Sequence, residues 1–191
     1  MAGEPSQPQP AQLTLAASAP QGAALLLRDL RAGDSVELER IHRSAEVARW
    51  WGAPQAGFPF ADEPDAVRLT IELDGKPIGL IQFHEEPTSR YRHASIDLFL
   101  DPAWHGRGLG SAAVRALARH LIAERGHHRL TIDPAAENAA AIRAYEKAGF
   151  RPVGVMREYE QASPGCWRDG LLMELLASSD GPSSADGEPT G

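Results

Sequence analysis

The residues from Ala94 to Gly110 combine a carboxylate with a backbone pattern that could bind an anion. A strand-like run with one acidic residue, Asp97, leads into a glycine-rich turn at 106–110. Apolar residues at three- and four-residue steps then predict a helix from about Gly108. The first amides of a helix have no partners within it, and glycines let a ligand approach the backbone. This order of elements predicts a phosphate site with a carboxylate nearby.

Two common phosphate motifs fit this turn poorly. A P-loop has Lys and then Ser or Thr after its last glycine, whereas Gly110 is followed here by Ser111. The dinucleotide pattern G-x-G-x-x-G is nearly met by Gly106, Gly108 and Ser111, and Asp133 lies near the place of its acidic residue, but no second βαβ unit follows. A tight turn that only caps a helix remains an alternative.

The run His105-Gly106-Arg107-Gly108-Leu109-Gly110 resembles the pyrophosphate-binding motif of the GNAT superfamily of acetyl-CoA-dependent N-acetyltransferases. His105 stands where that motif usually has Gln or Arg. A second signature follows, with Asn138 and then Ala141 to Phe150. The resemblance covers about residues 24–176 and implies an α+β fold, a mixed and mostly antiparallel sheet with helices on both faces. It also implies that the strands with Asp97 and Asp133 splay apart, often at a bulge, and admit acetyl-CoA as co-substrate.

Within this superfamily the chain is most similar to the aminoglycoside 6'-N-acetyltransferases. The matching pieces are 47–52, 75–79, 96–97, 133–134, 141–150 and 169–170. Siderophore-type hydroxylysine acetyltransferases share several of them, and the stretch 84–93 matches neither group clearly. The resemblance favours acetylation of an aminoglycoside 6'-amine. The alternatives are hydroxylysine or another small amine as acceptor, or a non-catalytic module that binds CoA or an aminoglycoside.

The resemblance also implies roles for individual residues. Asp97 contacts the acceptor amine and serves as base or electrostatic anchor, and Tyr145 protonates the departing thiolate. A backbone amide of Leu98 or Phe99 stabilises the oxyanion. The residues implied to bind the cofactor are Leu98, Phe99, His105, Gly106, Arg107, Gly108, Leu109, Gly110, Ser111, Asn138 and Arg143. Those implied to bind the acceptor are Trp50, Trp51, Asp97, Asp133 and Asp169.

Several of these residues also suit ordinary structural positions. Asn138 is a good helix N-cap, Tyr145 fits the core side of an amphipathic helix, and Arg143 fits its exposed side. Asp133 and Asp169 each precede a proline or a glycine and suit turns.

Composition favours one soluble domain acting on a small cationic molecule. The 191 residues are 42% hydrophobic with a net charge of −7, which argues against nucleic acid as a partner. A single cysteine, Cys166, indicates a reducing cytoplasm, and no apolar run is long enough to span a membrane. The histidines 42, 127 and 128 lack the spacing of a metal site and are expected in solvent. Monomer and homodimer remain open.

The pattern predicts disordered tails at 1–22 and 178–191 around one acetyltransferase domain at 23–177, because both ends lack hydrophobic periodicity. The predicted strands are 25–30, 69–73, 78–84, 94–100, 129–133, 150–158 and 170–176. The predicted helices are 34–43, 108–125 and 138–148, with a short helix and loop over 45–64.

Overall fold

The computed structural model describes residues 13–18, 22–60 and 66–177, and these residues form an eight-stranded sheet with four α-helices. The strands are β1 (Thr14–Ser18), β2 (Ala24–Asp29), β3 (Ala66–Leu73), β4 (Lys76–Glu86), β5 (His93–Leu100), β6 (Arg129–Ile132), β7 (Arg151–Ser163) and β8 (Cys166–Leu176). The helices are α1 (Ser35–His42), α2 (Ala45–Trp51), α3 (Leu109–Ala123) and α4 (Ala139–Ala148). None of these helices is long and apolar enough to cross a membrane.

The sheet has the strand order β1-β2-β3-β4-β5-β6-β8-β7, and every neighbouring pair is antiparallel except β5–β6. Successive residues of the central strands face opposite layers. Ile81 and Leu100 join the core under α3 and α4, whereas Leu80 and Phe99 join a smaller core under α1. Helices therefore cover both faces, and the predicted α+β architecture is confirmed.

The parallel strands β5 and β6 separate soon after they meet. Their pairing consists of Ala94 with Leu130 and Ser95 with Thr131, after which β5 continues to Leu100 without a neighbour on that side. The pairing of β5 with its other neighbour, β4, shows no register shift. β5 and β6 therefore separate without a bulge between β4 and β5. The expected splay is present and opens a wedge at the carboxyl ends of both strands.

The predicted disordered tail at 1–22 is wrong for residues 14–18. They form β1, which pairs with β2 from Thr14–Arg28 to Ser18–Ala24. The backbone N–H of Leu13 donates to the Asp29 carboxylate at 3.0 Å, and Ala17 is buried in the core. Residues 14–18 show no hydrophobic periodicity. They form a strand because the edge of β2 supplies their backbone hydrogen bonds. Residues 1–12, 19–21 and 178–191 lie outside the described residues.

The β7–β8 hairpin is longer than predicted. Residues 159–169, which lie between the two predicted strands, continue both strands around a turn at 164–165. The register shifts between Met156 and Glu160, where Glu158 has a φ of +49°. Beyond this irregularity, pairing resumes with Glu160 opposite Arg168.

Candidate active site

A cleft of about 950 Å³ lies at the wedge and collects most of the predicted site residues. Its lining takes residues from α2, α3, α4 and the strands β4 to β8, and from the loops between them. The predicted residues that line it are Trp50, Trp51, Asp97, Leu98, Phe99, His105, Gly106, Gly108, Leu109, Gly110, Ser111, Asp133, Asn138, Arg143 and Tyr145. Two predicted residues, Arg107 and Asp169, are not part of this lining.

The glycine turn before α3 presents open backbone to the cleft. Gly106 and Gly108 have φ values of +73° and +76°, which side chains disfavour. A side chain at Gly106 would meet no atom within 4 Å, so this turn is open on that side. The amide of Ala112 donates to the carbonyl of Gly108 at 3.1 Å, and the amides before it have no acceptor inside the helix. Such a turn fits a diphosphate.

His105 holds this turn against the sheet. Its Nε2 lies 3.0 Å from the carbonyl oxygen of Leu100 at the end of β5, so Nε2 carries the proton that it donates. The neighbouring Arg107 instead places its guanidinium 4.7 Å from the centre of the Trp104 ring. Arg107 is not part of the cleft lining, and its predicted contact with the cofactor stays a prediction.

Ser111 and Asn138 make hydrogen bonds that build the site. Ser111 Oγ donates to the carbonyl of Ala144 at 2.8 Å and joins α3 to α4. The Asn138 side chain accepts from the amide of Ala141 at 3.1 Å and caps α4, as its residue type predicts. Arg143 is exposed on α4 beside the cleft.

The orientation of β5 distinguishes Leu98 from Phe99. The amide of Asp101 donates to the carbonyl of Ile78 on β4 at 2.8 Å, and a side chain at Gly79 on the same strand would meet the carbonyl of Phe99. Backbone groups alternate in direction along a strand. The polar groups of Phe99 therefore face β4, whereas the amide of Leu98 faces the wedge, which favours Leu98 as the donor to an oxyanion.

Tyr145 lies at the centre of the wedge with two carboxylates around it. The side chain is buried, and burial raises the pKa of its phenol far above the usual value. The negative charges of Asp97 and Asp133 raise the same pKa further. The phenol therefore stays protonated at any working pH and keeps a proton to donate.

Asp133 meets a tyrosine that the sequence did not reveal. Burial raises the pKa of the Asp133 carboxyl, the charge of Glu160 raises it further, and a hydrogen bond from the Tyr159 hydroxyl opposes this rise. That hydrogen bond, with burial, raises the pKa of Tyr159 to about 12. Tyr159 and Glu160 reach the cleft through the irregular part of β7, for which the sequence carries no recognisable signal.

Asp169 makes a structural contact beside the cleft, and its predicted contact with the acceptor stays a prediction. Its Oδ1 accepts from the amide of Glu158 at 2.9 Å and so stabilises the register shift in β7. The adjacent Arg168, which the sequence analysis missed, lines the cleft instead.

The two adjacent tryptophans have different surroundings. The Trp51 ring lies 5.1 Å from Phe99 and 5.9 Å from His42 in edge-on contacts of the smaller core. The Trp50 ring lies near two guanidinium groups, at 4.5 Å from Arg49 and 5.4 Å from Arg168. Trp50 is therefore the tryptophan whose environment depends on charged groups of the cleft.

Two of the three histidines expected in solvent are buried. His42 packs against aromatic rings, and burial lowers its pKa. His127 is buried with its Nε2 2.6 Å from the Glu85 carboxylate, whereas His128 is exposed as expected. Within residues 13–18, 22–60 and 66–177, no three His, Cys, Asp or Glu side chains are grouped so as to hold a metal ion.

The family model described as the acetyltransferase (GNAT) family matches residues 26–150. The chain belongs to the GNAT acetyltransferase family. Among curated relatives, the aminoglycoside N(6')-acetyltransferase type 1 of Klebsiella pneumoniae is 30% identical over 139 residues, covering 62% of this chain and 69% of the relative. The spermidine N(1)-acetyltransferase of Escherichia coli (strain K12) is 25% identical over 163 residues, covering 81% and 87%.

Solved structures agree with this assignment. RimJ of Mycobacterium smegmatis in complex with CoA-disulfide has a TM-score of 0.72 at 22% identity, covering 86% of this chain and 88% of that one, and supports the fold. The aminoglycoside acetyltransferase AAC(6')-Ib in complex with coenzyme A has a TM-score of 0.66 at 26% identity, covering 81% and 95%. The expectations of a GNAT fold and of acetyl-CoA as co-substrate are confirmed, and the chain is an acetyl-CoA-dependent N-acetyltransferase.

Proposed function

We propose that this acetyltransferase modifies a primary amine of a small, multiply charged cation, with the 6'-amine of an aminoglycoside as the first candidate. The observation that carries the proposal is the cleft itself, where Asp97 and Asp133 flank the phenol of Tyr145 beside Trp50. Carboxylates at this end attract a polycation, since one opposed charge pair at about 4 Å is worth about 4 kcal/mol at an effective dielectric constant of 20. Similarity to the Klebsiella enzyme supports the same choice.

Different residues of the cleft contribute to different steps of acyl transfer. When bound, acetyl-CoA supplies an activated thioester. Asp97 holds the ammonium group of the acceptor and takes its proton, directly or through a water molecule. Its main contribution is electrostatic positioning of that ammonium group. The Leu98 amide faces the developing oxyanion, and the phenol of Tyr145 holds a proton for the leaving sulfur.

A second group of residues in the cleft is suited to hold the co-substrate. The amides at the start of α3 and the open turn at Gly106 and Gly108 receive its diphosphate. The cap at Asn138 and the exposed Arg143 lie along the other side of the cleft. These residues bind and orient the thioester, and the divergence of β5 and β6 gives it access to Asp97.

A polyamine is the second candidate acceptor, because the spermidine acetyltransferase of Escherichia coli aligns with 81% of the chain at 25% identity. Polyamines and aminoglycosides each carry several ammonium groups, and the carboxylates of the cleft attract both. Acetylation of hydroxylysine and ligand binding without turnover are two further hypotheses that the same cleft allows. A cytoplasmic location, and action as a monomer or homodimer without nucleic-acid or membrane partners, remain predictions from composition.

Thiol release from acetyl-CoA tests the proposal with a panel of kanamycin, spermidine, hydroxylysine and a peptide with a free N-terminus. We expect kcat/KM to be highest for kanamycin, with the acetyl group found on the 6'-nitrogen by NMR of the product. A higher kcat/KM for another member of the panel would replace the aminoglycoside as acceptor. The absence of thiol release with every amine, for protein that binds CoA, would identify a binding module.

A further inference from the structure

Arg168 on β8 joins three elements at the acceptor end of the cleft. Its Nη1 donates to the carbonyl oxygen of Arg49 at 2.9 Å, and its Nη2 donates to the carbonyl oxygen of Trp50 at 2.8 Å. Nε and Nη2 also donate to the two carboxylate oxygens of Glu160 at 2.8 and 2.6 Å. The Arg168 side chain is only 12% exposed, whereas its partner Glu160 lies nearer the solvent. One guanidinium thus ties β8 to β7 and to the last turn of α2.

This contact fixes the end of α2. The helix has seven residues and is followed by Gly52, whose φ is +69°. The last carbonyls of a helix have no donors within it, and Arg168 satisfies two of them with one planar group. The centre of the guanidinium also lies 5.4 Å from the centre of the Trp50 ring. The position of Trp50 in the cleft therefore depends on Arg168.

The same guanidinium fixes Glu160. This glutamate and Tyr159 follow the register shift of β7, and Tyr159 hydrogen-bonds to the carboxylate of Asp133. The two-oxygen contact with Arg168 holds the Glu160 carboxylate in one orientation. One side chain, Arg168, consequently joins Trp50 and Glu160 in the wall of the cleft that they form with Tyr159.

We propose that Arg168 is a positioning residue that sets the affinity for the acceptor by holding Trp50 and Glu160 in place. The inference rests on the proposed function, because it takes the molecule against this wall to be the cationic amine. The hydrogen bonds of Arg168 go to the end of α2 and to Glu160 on β7, so we expect its effect at the acceptor end of the cleft.

Steady-state kinetics of Arg168→Ala test this inference. We expect the KM for the amine to rise at least tenfold and the KM for acetyl-CoA to stay within twofold of the wild-type value. Arg168→Lys retains the positive charge without the planar guanidinium. Its KM for the amine should lie between those of Arg168→Ala and the wild-type protein. Arg129→Ala removes a comparable pair with Glu174 outside the cleft and serves as the control that changes neither KM. Equal rises in both KM values, or no change in either, would overturn the inference.

A second measurement needs no acceptor and separates this inference from the proposed function. Acrylamide quenching of Trp50 fluorescence is obtained as the difference between proteins with and without Trp50→Phe. We expect Arg168→Ala to make Trp50 at least twofold more accessible to quenching. Unchanged quenching would overturn the positioning role even if amines are acetylated. If quenching changes but the wild-type protein acetylates none of the panel, the proposed acceptor is wrong while the contact stands.

Discussion

Asp97 is the residue on which the proposed chemistry depends most. It lies on β5 at the opening of the wedge, and its charge reaches the phenol of Tyr145. We predict that Asp97→Asn lowers kcat at least tenfold, about 1.4 kcal/mol of transition-state stabilisation. The amide keeps the size of the side chain but can neither hold an ammonium group by charge nor accept its proton.

The matched control for this variant is Asp74→Asn, which removes one carboxylate charge in the β3–β4 turn outside the cleft lining. It should leave kcat at the wild-type value. Wild-type kcat in Asp97→Asn, with acceptor at saturation, would remove Asp97 from the mechanism.

The contact between Tyr159 and Asp133 predicts a pH effect on acceptor binding. The pKa of Asp133 is raised by burial, and ionised Asp133 attracts the cation, so affinity is lost as the pH falls through that pKa. Tyr159→Phe removes the hydrogen bond that opposes the rise, so the pKa of Asp133 should increase further. The KM for the amine, measured from pH 4 to 8, should therefore begin to rise at a higher pH in Tyr159→Phe.

Tyr91→Phe, which alters an exposed tyrosine outside the cleft, should keep the wild-type pH profile. Identical profiles for Tyr159→Phe and the wild-type protein would show that Asp133 does not control acceptor binding.

At the residue scale, sequence reasoning found the side chains whose type is dictated by local geometry. Gly108 was found because its φ of +76° excludes most residues, and Asn138 because it caps a helix. The sequence does not reveal that Tyr159 and Arg168 line the cleft, because the direction of their side chains depends on a register shift between β7 and β8. Arg107 and Asp169 lie outside the cleft lining, because a motif position does not determine which neighbour a side chain contacts.

At the scale of elements, β1 is the strand that the sequence pattern did not reveal. Its residues alternate between exposed and more buried positions, with Ala16 exposed and Ala17 buried against the core. We predict that Ala17→Asp lowers the free energy of unfolding by at least about 2 kcal/mol, because it places an unpaired charge in the apolar core. Urea unfolding followed by circular dichroism measures this change.

The neighbouring Ala16→Asp is the matched control, because it introduces the same charge on the exposed face. It should alter the free energy of unfolding by less than about 0.5 kcal/mol. Equal stability of the two variants would mean that residues 14–18 do not form part of the folded sheet.

The elements that were predicted well have strong local signals. The α3 pattern of apolar residues and the turn at Asp74 and Gly75 fix a helix and a hairpin without help from distant residues. β1 and the far half of the β7–β8 hairpin have no such signal. They become strands because β2 and the opposite arm of the hairpin offer backbone hydrogen bonds, which only the folded sheet provides.

At the scale of the whole molecule, a buried ion network joins β2, β3 and the start of α1. Arg28 donates to Asp34 at 2.7 and 2.9 Å and to Glu72 at 2.6 Å, and Thr70 donates to Asp34 at 2.7 Å. Although burial acts in the opposite direction, the hydrogen bonds from Arg28, Arg31 and Thr70 lower the pKa of Asp34 to about 2.

This network predicts the acid stability of the protein. The folded pKa of Asp34 lies below its ordinary value of 3.8, so its contribution is complete above about pH 4 and is lost as the pH falls through 2. The loss should amount to about 2 kcal/mol. Between pH 5 and pH 2, the free energy of unfolding measured with urea should fall less in Asp34→Asn than in the wild-type protein, by about that amount. Parallel declines for both proteins would contradict the assignment.

Binding of coenzyme A to the turn before α3 is the claim on which the site depends, and isothermal titration calorimetry measures it directly. We predict saturable binding of CoA to the wild-type protein and at least a tenfold loss of affinity in Gly108→Ala, because alanine disfavours a φ of +76°. Gly33→Ala, at an open position with ordinary backbone geometry, should bind like the wild-type protein. The absence of binding heat in folded wild-type protein, or wild-type affinity in Gly108→Ala, would contradict the account.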